Sequence, residues 1–516
     1  MVNSERLQKA LEITISSGYQ LSREAFDFLK LVATTEDPVE VINKALETVK
    51  IMKNRPLFIE RSLLEDVIKF KENEEGKKAS EDKQENEQAS YMLEGKGDFH
   101  PYAKDVEADI KIIEHFSEKM NAGGNIEDYI EYFRDRLRRL ERILRQRIDV
   151  KSATSIIEAL KAPQGTKLKI IGIITEKKEQ KDKIILTVED LTATATVFVT
   201  DKNSKDLIDK ARLLLIDQVV CLSIAKIKGG ALIAEDIILP DVAKKEAKRA
   251  SDPVYAVFTS DLHIGSVKFQ KEAFNRFVLW LNGKYGDEKM RKIAEKVKYI
   301  LIAGDIVDGI GIYPNQVKEL QLRDIGKQYK LAAKFMEQIP DYIEIIIIPG
   351  NHDAVRKALP QPPIQNEFLE NLQESRKIIS VGNPCYLSIH GVEILMYHGR
   401  SLDDVISMVP GMSHSNPEKA MTLLLQSRHL APVYGGKTPL SPEHKDFLVI
   451  ERVPDIFHAG HIHTLGYTSY KGVMVINSGC WQEQTEYMRR LGVTPTPGIV
   501  PIVNLQTFEM NFISFT

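Results

Sequence analysis

The sequence predicts a multidomain protein with a helical N-terminal module, a small β-barrel, and an α/β domain of layered β-sheets with flanking helices. Its 516 residues exceed what one hydrophobic core usually holds, so several domains are expected. Apolar residues recur at helical spacing in the first 70 residues, whereas short runs rich in β-branched residues follow residue 165. From residue 254 onward, apolar runs alternate with helical stretches, which is typical of βαβ units around a buried sheet.

Residues 1–70 are predicted to form a helical module. Asp37 suits an N-cap, Pro38 the first helical position, and Glu40 the first turn. An apolar stripe at helical spacing follows, formed by Val39, Ile42, Leu46 and Val49. The module carries no chemical signature, so an interaction module and a packing appendage are equally compatible with it.

Residues 71–104 are predicted to be a disordered, charged linker. Eleven of the 17 residues from Lys71 to Glu87 are charged, and Ala79 is the only apolar residue among them. Such a segment buries too little surface to offset the entropy lost on folding. We therefore expect it to tether the N-terminal module to the rest of the chain.

Residues 105–160 are predicted to be a helical connector. From Ile126 to Arg147, apolar residues form one stripe of an amphipathic helix, and its second half is rich in arginine. One interpretation of the arginines is contact with a phosphate backbone. The other, which we favour, is a solvated helix face paired with acidic neighbours.

Residues 161–243 are predicted to form an OB-type β-barrel. Five short, β-branched-rich runs are separated by turn signals, namely Lys167–Thr175, Ile184–Asp190, Ala193–Val199, Gln218–Ile227 and Ala231–Leu239. Five strands of this length suit a small Greek-key barrel. The only aromatic residue in these runs is Phe198, which disfavours base stacking and favours a docking surface.

Amino-acid composition limits the cellular compartment and the binding partners that we expect for this protein. The chain is 43% hydrophobic with a net charge of −3, so a nucleic acid would have to meet local basic patches. The cysteines, Cys221, Cys385 and Cys480, are too widely spaced for a disulfide framework or a zinc knuckle, and buried free thiols are expected. No stretch resembles a signal peptide or a membrane span, so we expect a soluble cytoplasmic protein without membrane contact.

The last predicted domain, residues 250–516, carries the candidate chemistry. Five strand-like runs each end in polar residues: Val254–Thr259 before Asp261 and His263, Val297–Ala303 before Asp305, Ile345–Ile348 before Asn351, His352 and Asp353, Val392–Tyr397 before His398, and Asp455–Phe457 before His461 and His463. Ligands of open α/β sheets bind at the carboxyl ends of strands, so these side chains are expected to converge. Oxygen and imidazole donors around a bridging carboxylate are what a two-cation phosphoesterase site requires.

These five motifs, in this order, resemble the calcineurin-like metallophosphoesterases. The resemblance implies that Asp305 bridges two divalent cations. The other ligands it implies are Asp261, His263 and His463 for one cation, and Asn351, His398 and His461 for the other. His352 would act at the scissile phosphate as general acid or transition-state stabiliser, with Asp353 holding its imidazole in one tautomer. Manganese is the implied metal, and the ligand set also admits iron, zinc or magnesium.

Further segments resemble one family in that superfamily, the small subunits of archaeal D-family DNA polymerases. They are Gly350–Arg356 with Pro360-Gln361-Pro362, Tyr397–Asp404, and Asn477–Thr485. The resemblance implies a 3′→5′ proofreading exonuclease. Its implied partners are a large catalytic subunit, DNA primer-template and single-stranded 3′ ends, with the sliding clamp as a further candidate. The similar eukaryotic B-subunits have lost metal ligands and serve as scaffolds, whereas every ligand position is filled here.

Several alternatives stay open at this point. For Arg356 and Arg400, contact with substrate phosphate and a salt bridge to Asp353 or Asp403 are equally compatible with the sequence. Asp308 is interpreted as a structural cap. The alternatives to the exonuclease are a non-catalytic polymerase scaffold and a free-standing metal-dependent phosphatase or nuclease. The filled ligand set disfavours the scaffold, and the additional domains disfavour the free-standing enzyme.

Overall fold

The computed structural model describes residues 2–17, 19–33, 37–51, 58–59, 61, 63–64, 99–117, 123–200, 205–373 and 376–516. The chain divides into two compact units, Met1–Lys96 and Gly97–Thr516. Within the described ranges, no helix combines the length and the apolar character that crossing a membrane requires.

The N-terminal unit consists mainly of helices. They are α1 (Val2–Ser16), α2 (Arg23–Val32) and α3 (Pro38–Ile51), and two short parallel strands accompany them, β1 (Gln20–Leu21) and β2 (Phe58–Ile59). Helix α3 begins at the expected cap, because the Val39 amide donates to Asp37 Oδ1 over 3.0 Å. Apolar side chains of all three helices, among them Ala10, Leu29 and Ile42, form the core of this unit.

The segments on either side of residue 104 differ from the prediction. Most of the predicted linker, residues 71–98, lies outside the described residues, but its end is ordered on the second unit. A single 3-10 turn, Tyr102–Lys104, buries Ala103, whose amide donates to the Glu295 carbonyl oxygen over 2.9 Å.

The predicted helical connector includes a strand, β3 (Ile110–His115), before helices α4 (Ile126–Arg145) and α5 (Ile156–Lys161). The prediction missed β3 because its partner strand lies about 270 residues further along the chain.

A five-stranded barrel follows, built from β4 (Lys167–Gln180), β5 (Lys183–Glu189), β6 (Thr194–Thr200), β7 (Val219–Lys226) and β8 (Leu232–Ile238), with helix α6 (Lys205–Arg212) before β7. It closes in the order β4-β5-β6-β8-β7, which confirms the predicted small barrel. Alternate residues fill its core, such as Ile184, Leu186 and Val188 of β5. Helix α4 packs on the outside through Leu137 and Leu140.

Two six-stranded sheets form the α/β domain. The first contains, in spatial order, β12 (Ile378–Ser380), β11 (Glu344–Ile348), β10 (Val297–Ala303), β9 (Tyr255–Thr259), β18 (Ile499–Asn504) and β19 (Met510–Ser514). The second contains β16 (Leu465–Tyr470), β17 (Val473–Ser478), β15 (Ile456–Ala459), β14 (Val392–Met396), β13 (Cys385–Ile389) and β3. Strands β9 to β12 are parallel, as are β14, β15 and β17. Neighbouring strands therefore end side by side in each sheet.

The two sheets pack face to face, and helices cover their outer faces. Phe258 and Leu301 of the first sheet share one buried core with Leu387 and Ile394 of the second. The helices outside the first sheet are α7 (Lys271–Leu281), α8 (Glu288–Ala294), α9 (Ile325–Met336) and α10 (Asn366–Gln373). Outside the second lie α11 (Leu402–Met408) and α12 (Pro417–Ser427), and α13 (Glu486–Leu491) follows β17. This layering leaves the strand ends as the accessible polar edge.

Candidate metal centre

The predicted site residues lie at the carboxyl ends of five strands. Asp261 and His263 follow β9, Asp305 follows β10, Asn351 and His352 follow β11, His398 follows β14, and His461 and His463 follow β15. Five of them have φ angles between 50° and 69°, namely Asp261, His263, Asp305, His461 and His463. Each such non-glycine residue costs about 1–3 kcal/mol and persists only where its surroundings impose it, which is typical of functional sites.

Asp261, His263 and His463 form the first group of potential metal ligands. His463 Nε2 lies 3.3 Å from Asp261 Oδ1 and 3.0 Å from His263 Nε2. All three side chains are buried, and one donor atom of each lies within 4.8 Å of the others. One oxygen and two imidazole nitrogens at this separation can surround a single divalent cation.

Asp305, His398 and His461 form the second group, with donor atoms again within 4.8 Å of one another. His398 Nε2 lies 3.3 Å from Asp305 Oδ2 and 3.0 Å from Asn351 Oδ1, which adds the Asn351 amide oxygen to this group. Asp305 Oδ2 also lies 3.8 Å from His263 Nε2 in the first group. One carboxylate oxygen therefore faces imidazoles of both groups, which is where a bridging ligand belongs.

The residues present fit a pair of divalent cations. Among the described residues, the buried Asp261 Oδ1 has no hydrogen-bond donor, a costly state for a carboxylate oxygen unless a cation accompanies it. A Cβ atom on Gly350 would collide with Asp305, and one on Gly460 would lie 2.5 Å from Asp261 Oδ2. At both turns, only glycine lets the backbone lie this close to the carboxylates. The mixed oxygen and imidazole donors suit Mn²⁺, Fe²⁺ or Zn²⁺.

Neighbouring carboxylates control the protonation of two of these histidines. Although burial lowers the pKa of His263, its interactions with Asp261 and Asp308 raise that pKa to about 10. Burial likewise lowers the pKa of His398, but the Asp305 carboxylate raises it to about 9. An imidazole must lose this proton before it can coordinate a metal. Cation binding is therefore expected to release protons and to weaken as the pH falls.

Asp353 does not hold the His352 imidazole, contrary to the prediction. His352 Nδ1 lies 2.7 Å from the Asp308 carbonyl oxygen, so Nδ1 carries the proton and Nε2 is an acceptor. The Asp353 carboxylate instead accepts hydrogen bonds from the Gly350 amide at 2.8 Å and the Tyr329 hydroxyl at 3.0 Å. It folds back onto its own turn, where it stabilises the backbone rather than the neighbouring side chain.

Two carboxylates that the sequence did not assign to the site orient its histidines. Asp308, interpreted as a cap, lies 2.9 Å from His263 Nδ1, and Asp403 Oδ2 lies 3.1 Å from His461 Nε2. Carboxylates behind metal-binding imidazoles fix the ring orientation and raise its basicity. The position of Asp308 three residues after Asp305, at the same strand end, was a usable signal. Asp403 offers no comparable signal, because it lies in the first turn of α11 and not at a strand end.

The two arginines predicted to bind phosphate differ in their surroundings. Arg356 Nη1 lies 2.7 Å from Glu443 Oε1, and its Nε donates to the Pro360 carbonyl oxygen over 2.7 Å. These contacts pair Arg356 with Glu443 instead of the expected Asp353 or Asp403, and its contact with substrate phosphate stays a prediction. Arg400 lines the cavity beside the ligand groups, and no described carboxylate lies within 4.0 Å of its guanidinium. Its alternative partner, Asp403, bonds to histidines instead.

A cavity of about 310 Å³ opens over both ligand groups. Predicted ligands, including Asp305 and Asn351, line it, and Arg400 and Lys437 add positive charge to the lining. Apolar and aromatic residues line another part, namely Ile312, Tyr313, Tyr487, Met488, Leu491 and Val493. The cavity is within the range of small-molecule sites and combines recognition of negative charge with an apolar wall.

Comparisons with known proteins show the family of the chain. Residues 256–466 match the family model that describes the B-subunit of DNA polymerases alpha and epsilon. The protein named DNA polymerase II small subunit in Archaeoglobus fulgidus is 45% identical over 76% of this chain and 78% of its own length. Those of Methanocaldococcus jannaschii and Pyrococcus horikoshii are 41% and 39% identical over 78% and 79% of this chain, and 68% and 67% of their own lengths. The resemblance to small subunits carried by Gly350–Arg356, Tyr397–Asp404 and Asn477–Thr485 is confirmed, and the chain belongs to the archaeal DNA polymerase II small-subunit family.

Proposed function

We propose that this chain is a 3′→5′ proofreading exodeoxyribonuclease, with a calcineurin-like α/β domain, that acts with the large catalytic subunit of a D-family DNA polymerase. The observation that carries the proposal is the position of Asp305 Oδ2, which faces imidazoles of both ligand groups at 3.8 and 3.3 Å. Clustered buried carboxylates and imidazoles are costly without bound cations. A protein that served only as a scaffold would have no use for them.

Asp261, His263 and His463 would hold one cation, Asn351, His398 and His461 the other, and Asp305 would contact both. When bound, the cations lower the pKa of water and offset the charge on the phosphoryl oxygens. Manganese is the metal we propose, since the donor set mixes carboxylate, amide and imidazole groups.

His352 is suited to assist the leaving group. Its Nε2 lies 3.9 Å from Asp305 Oδ2, and burial lowers its pKa to about 4, so the free imidazole is neutral. A phosphate anion that enters the cavity favours the imidazolium form. Nε2 can then donate a proton to the 3′ oxygen as its bond to phosphorus breaks and the oxygen of water bonds to phosphorus. The products are a nucleoside 5′-monophosphate and a shortened strand with a 3′ hydroxyl.

Positive charge in the lining of the cavity suits DNA. Arg400 and Lys437 line the cavity, and we propose that they pair with phosphates of the bound strand. The proposed ligands of the protein are therefore single-stranded 3′ ends and mispaired primer termini, delivered by the large subunit. Contact with the sliding clamp remains a prediction from the family resemblance.

Degradation of end-labelled DNA tests this function. The purified chain, stripped of metal and then supplied with Mn²⁺, should shorten a 5′-labelled strand from its 3′ end and release nucleoside 5′-monophosphates. A 3′-mismatched primer should be degraded faster than a matched one, because its terminal base is already unpaired. The assay is run with and without the large subunit. Stable association without hydrolysis in either case would establish the scaffold, and hydrolysis of phosphomonoesters alone would establish a phosphatase.

Replacing Asp308 with asparagine is expected to weaken cation binding by about 10- to 100-fold, because the carboxylate behind His263 would be lost. Calorimetric titration of the metal-stripped chain with Mn²⁺ measures the effect. Asp182→Asn, in the exposed hairpin between β4 and β5, is the matched control and should bind Mn²⁺ like the parent. Equal affinity in the Asp308 variant would show that this carboxylate does not support a metal ligand.

A further inference from the structure

The aromatic part of the cavity wall is not explained by phosphodiester hydrolysis. Tyr313 and Tyr487 stack on one another with ring centroids 5.2 Å apart and an interplanar angle of 24°. Tyr487 is 44% exposed, and Leu491 beside it is 54% exposed. Several large apolar side chains with this much solvent exposure are grouped in one cavity. Such a group indicates a surface for an apolar or aromatic part of a ligand.

The aromatic pair is held in place by hydrogen bonds. The Tyr313 hydroxyl donates to Glu319 Oε2 over 3.0 Å, and Glu319 Oε1 accepts from the Glu486 amide at the start of α13 over 3.0 Å. Thr485 caps the same helix by accepting from the Met488 amide. One carboxylate thus joins the loop that carries Tyr313 to the helix that carries Tyr487, although the two tyrosines are 174 residues apart in the chain. A preformed surface of this kind loses little entropy when a ligand binds.

The pair also lies close to the candidate reaction centre. The ring centroids of Tyr313 and His352 are 6.2 Å apart. The Tyr313 ring therefore lies next to the imidazole that we propose faces the scissile phosphate. In a nucleotide, a single sugar separates the phosphate from the base. A phosphate placed at the two ligand groups would therefore present its base to this wall.

We propose that the Tyr313–Tyr487 pair stacks against the unpaired base of the 3′-terminal nucleotide. This inference rests on the proposed exonuclease function and specifies the form of its substrate. Every base has an aromatic face, so stacking on the pair tolerates any sequence. A base still paired in a duplex cannot reach the pair without being unpaired, which favours frayed and mismatched ends over matched ends. Selection is then for the unpaired state of the base and not for its identity.

Hydrolysis of two matched strands tests the proposal with the full-length chain and Mn²⁺. One single-stranded DNA ends in a normal 3′ nucleotide, and the other ends in an abasic residue. The parent should show a kcat/KM about 5- to 150-fold higher for the strand with the base, the range expected for stacking of one base. Tyr487→Ala should bring this ratio close to one, and Tyr487→Phe should keep it. Tyr467→Ala, a similarly exposed tyrosine outside the cavity, should also keep it.

A binding measurement separates this inference from the proposed function. A 3′-terminal 2-aminopurine, joined through a phosphorothioate linkage that resists hydrolysis, reports stacking as loss of fluorescence. The parent should quench this emission, and Tyr487→Ala should not. If the parent hydrolyses neither strand, the exonuclease proposal fails, while quenching that depends on Tyr487 still supports the stacking site. An equal preference for the base in parent and Tyr487→Ala, or quenching by both, would overturn the inference.

Discussion

Replacing Asp305 with asparagine is expected to lower the rate of Mn²⁺-dependent DNA hydrolysis by at least about 10³-fold, since cation stabilisation of the transition state is worth several kcal/mol. The carboxylate lies between the two ligand groups, with Oδ2 3.8 Å from His263 Nε2 and 3.3 Å from His398 Nε2. Its Oδ1 accepts from the His352 amide over 2.7 Å, and the asparagine carbonyl can keep this bond. The substitution therefore removes the charge with little change in shape.

Initial rates on a 3′-mismatched primer and the number of bound Mn²⁺ ions per chain measure this effect. The parent should bind two ions, and the Asp305 variant fewer. His352→Ala provides a contrast, because it removes no proposed ligand and should lose rate while it keeps both ions. Asp182→Asn again serves as the matched surface control. Parent-like hydrolysis by the Asp305 variant would refute the two-cation assignment. The nuclease activity would then come from another site.

Replacing Arg136 with alanine is expected to lower the free energy of unfolding by about 3–5 kcal/mol, the usual cost of leaving one partner of a buried ion pair alone. Arg136 Nε lies 2.8 Å from Asp446 Oδ2, and both side chains are fully buried. The Tyr132 hydroxyl and the His429 imidazole also bond to this carboxylate, at 3.0 and 2.8 Å. A second guanidinium bond, to the Pro432 carbonyl oxygen, ties α4 to the α/β domain.

Urea denaturation followed by tryptophan fluorescence measures this loss. Arg134→Ala, two residues earlier on an exposed turn of α4, is the control and should leave the unfolding curve superimposable on that of the parent. A double variant, Arg136→Met with Asp446→Leu, should recover part of the lost stability, because it leaves no unpaired charge. If Arg136→Ala unfolds like the parent, the buried pair does not hold α4 on the domain.

The same ion pair predicts a dependence of stability on pH. Burial raises the pKa of the Asp446 carboxyl, but its interactions with His429 and Arg136 outweigh burial and hold that pKa well below its usual range. Burial lowers the pKa of His429 to about 4, so Arg136 is the charged partner at neutral pH. The stability that Asp446 contributes is then complete above its unfolded pKa, about 3.9, and is lost as the pH falls below it. The difference between parent and Arg136→Ala should shrink over that acidic range.

The arginine-rich helix illustrates how sequence and structure differ in what they reveal. The sequence favoured pairing of its arginines with acidic neighbours, and Arg136 and Arg139 do bond to Asp446 and Glu451. The sequence predicted a solvated helix face for these arginines, however, whereas Arg136 is fully buried between α4 and the α/β domain. Local spacing predicts the helix and its apolar stripe, but it does not show which domain will cover the opposite face.

The strand ends were the part of the site that could be located from the sequence alone. A buried parallel strand requires a continuous apolar run, and the polar residues that follow it must lie at the end of the sheet, so Asp261, Asp305 and Asn351 were found from neighbours in the chain. The groups that stand behind these residues became visible only in the folded structure. Asp403 meets His461 across 58 residues, and Tyr313 meets Tyr487 across 174. These contacts arise where separate loops converge after the sheets have packed, and no local periodicity encodes them.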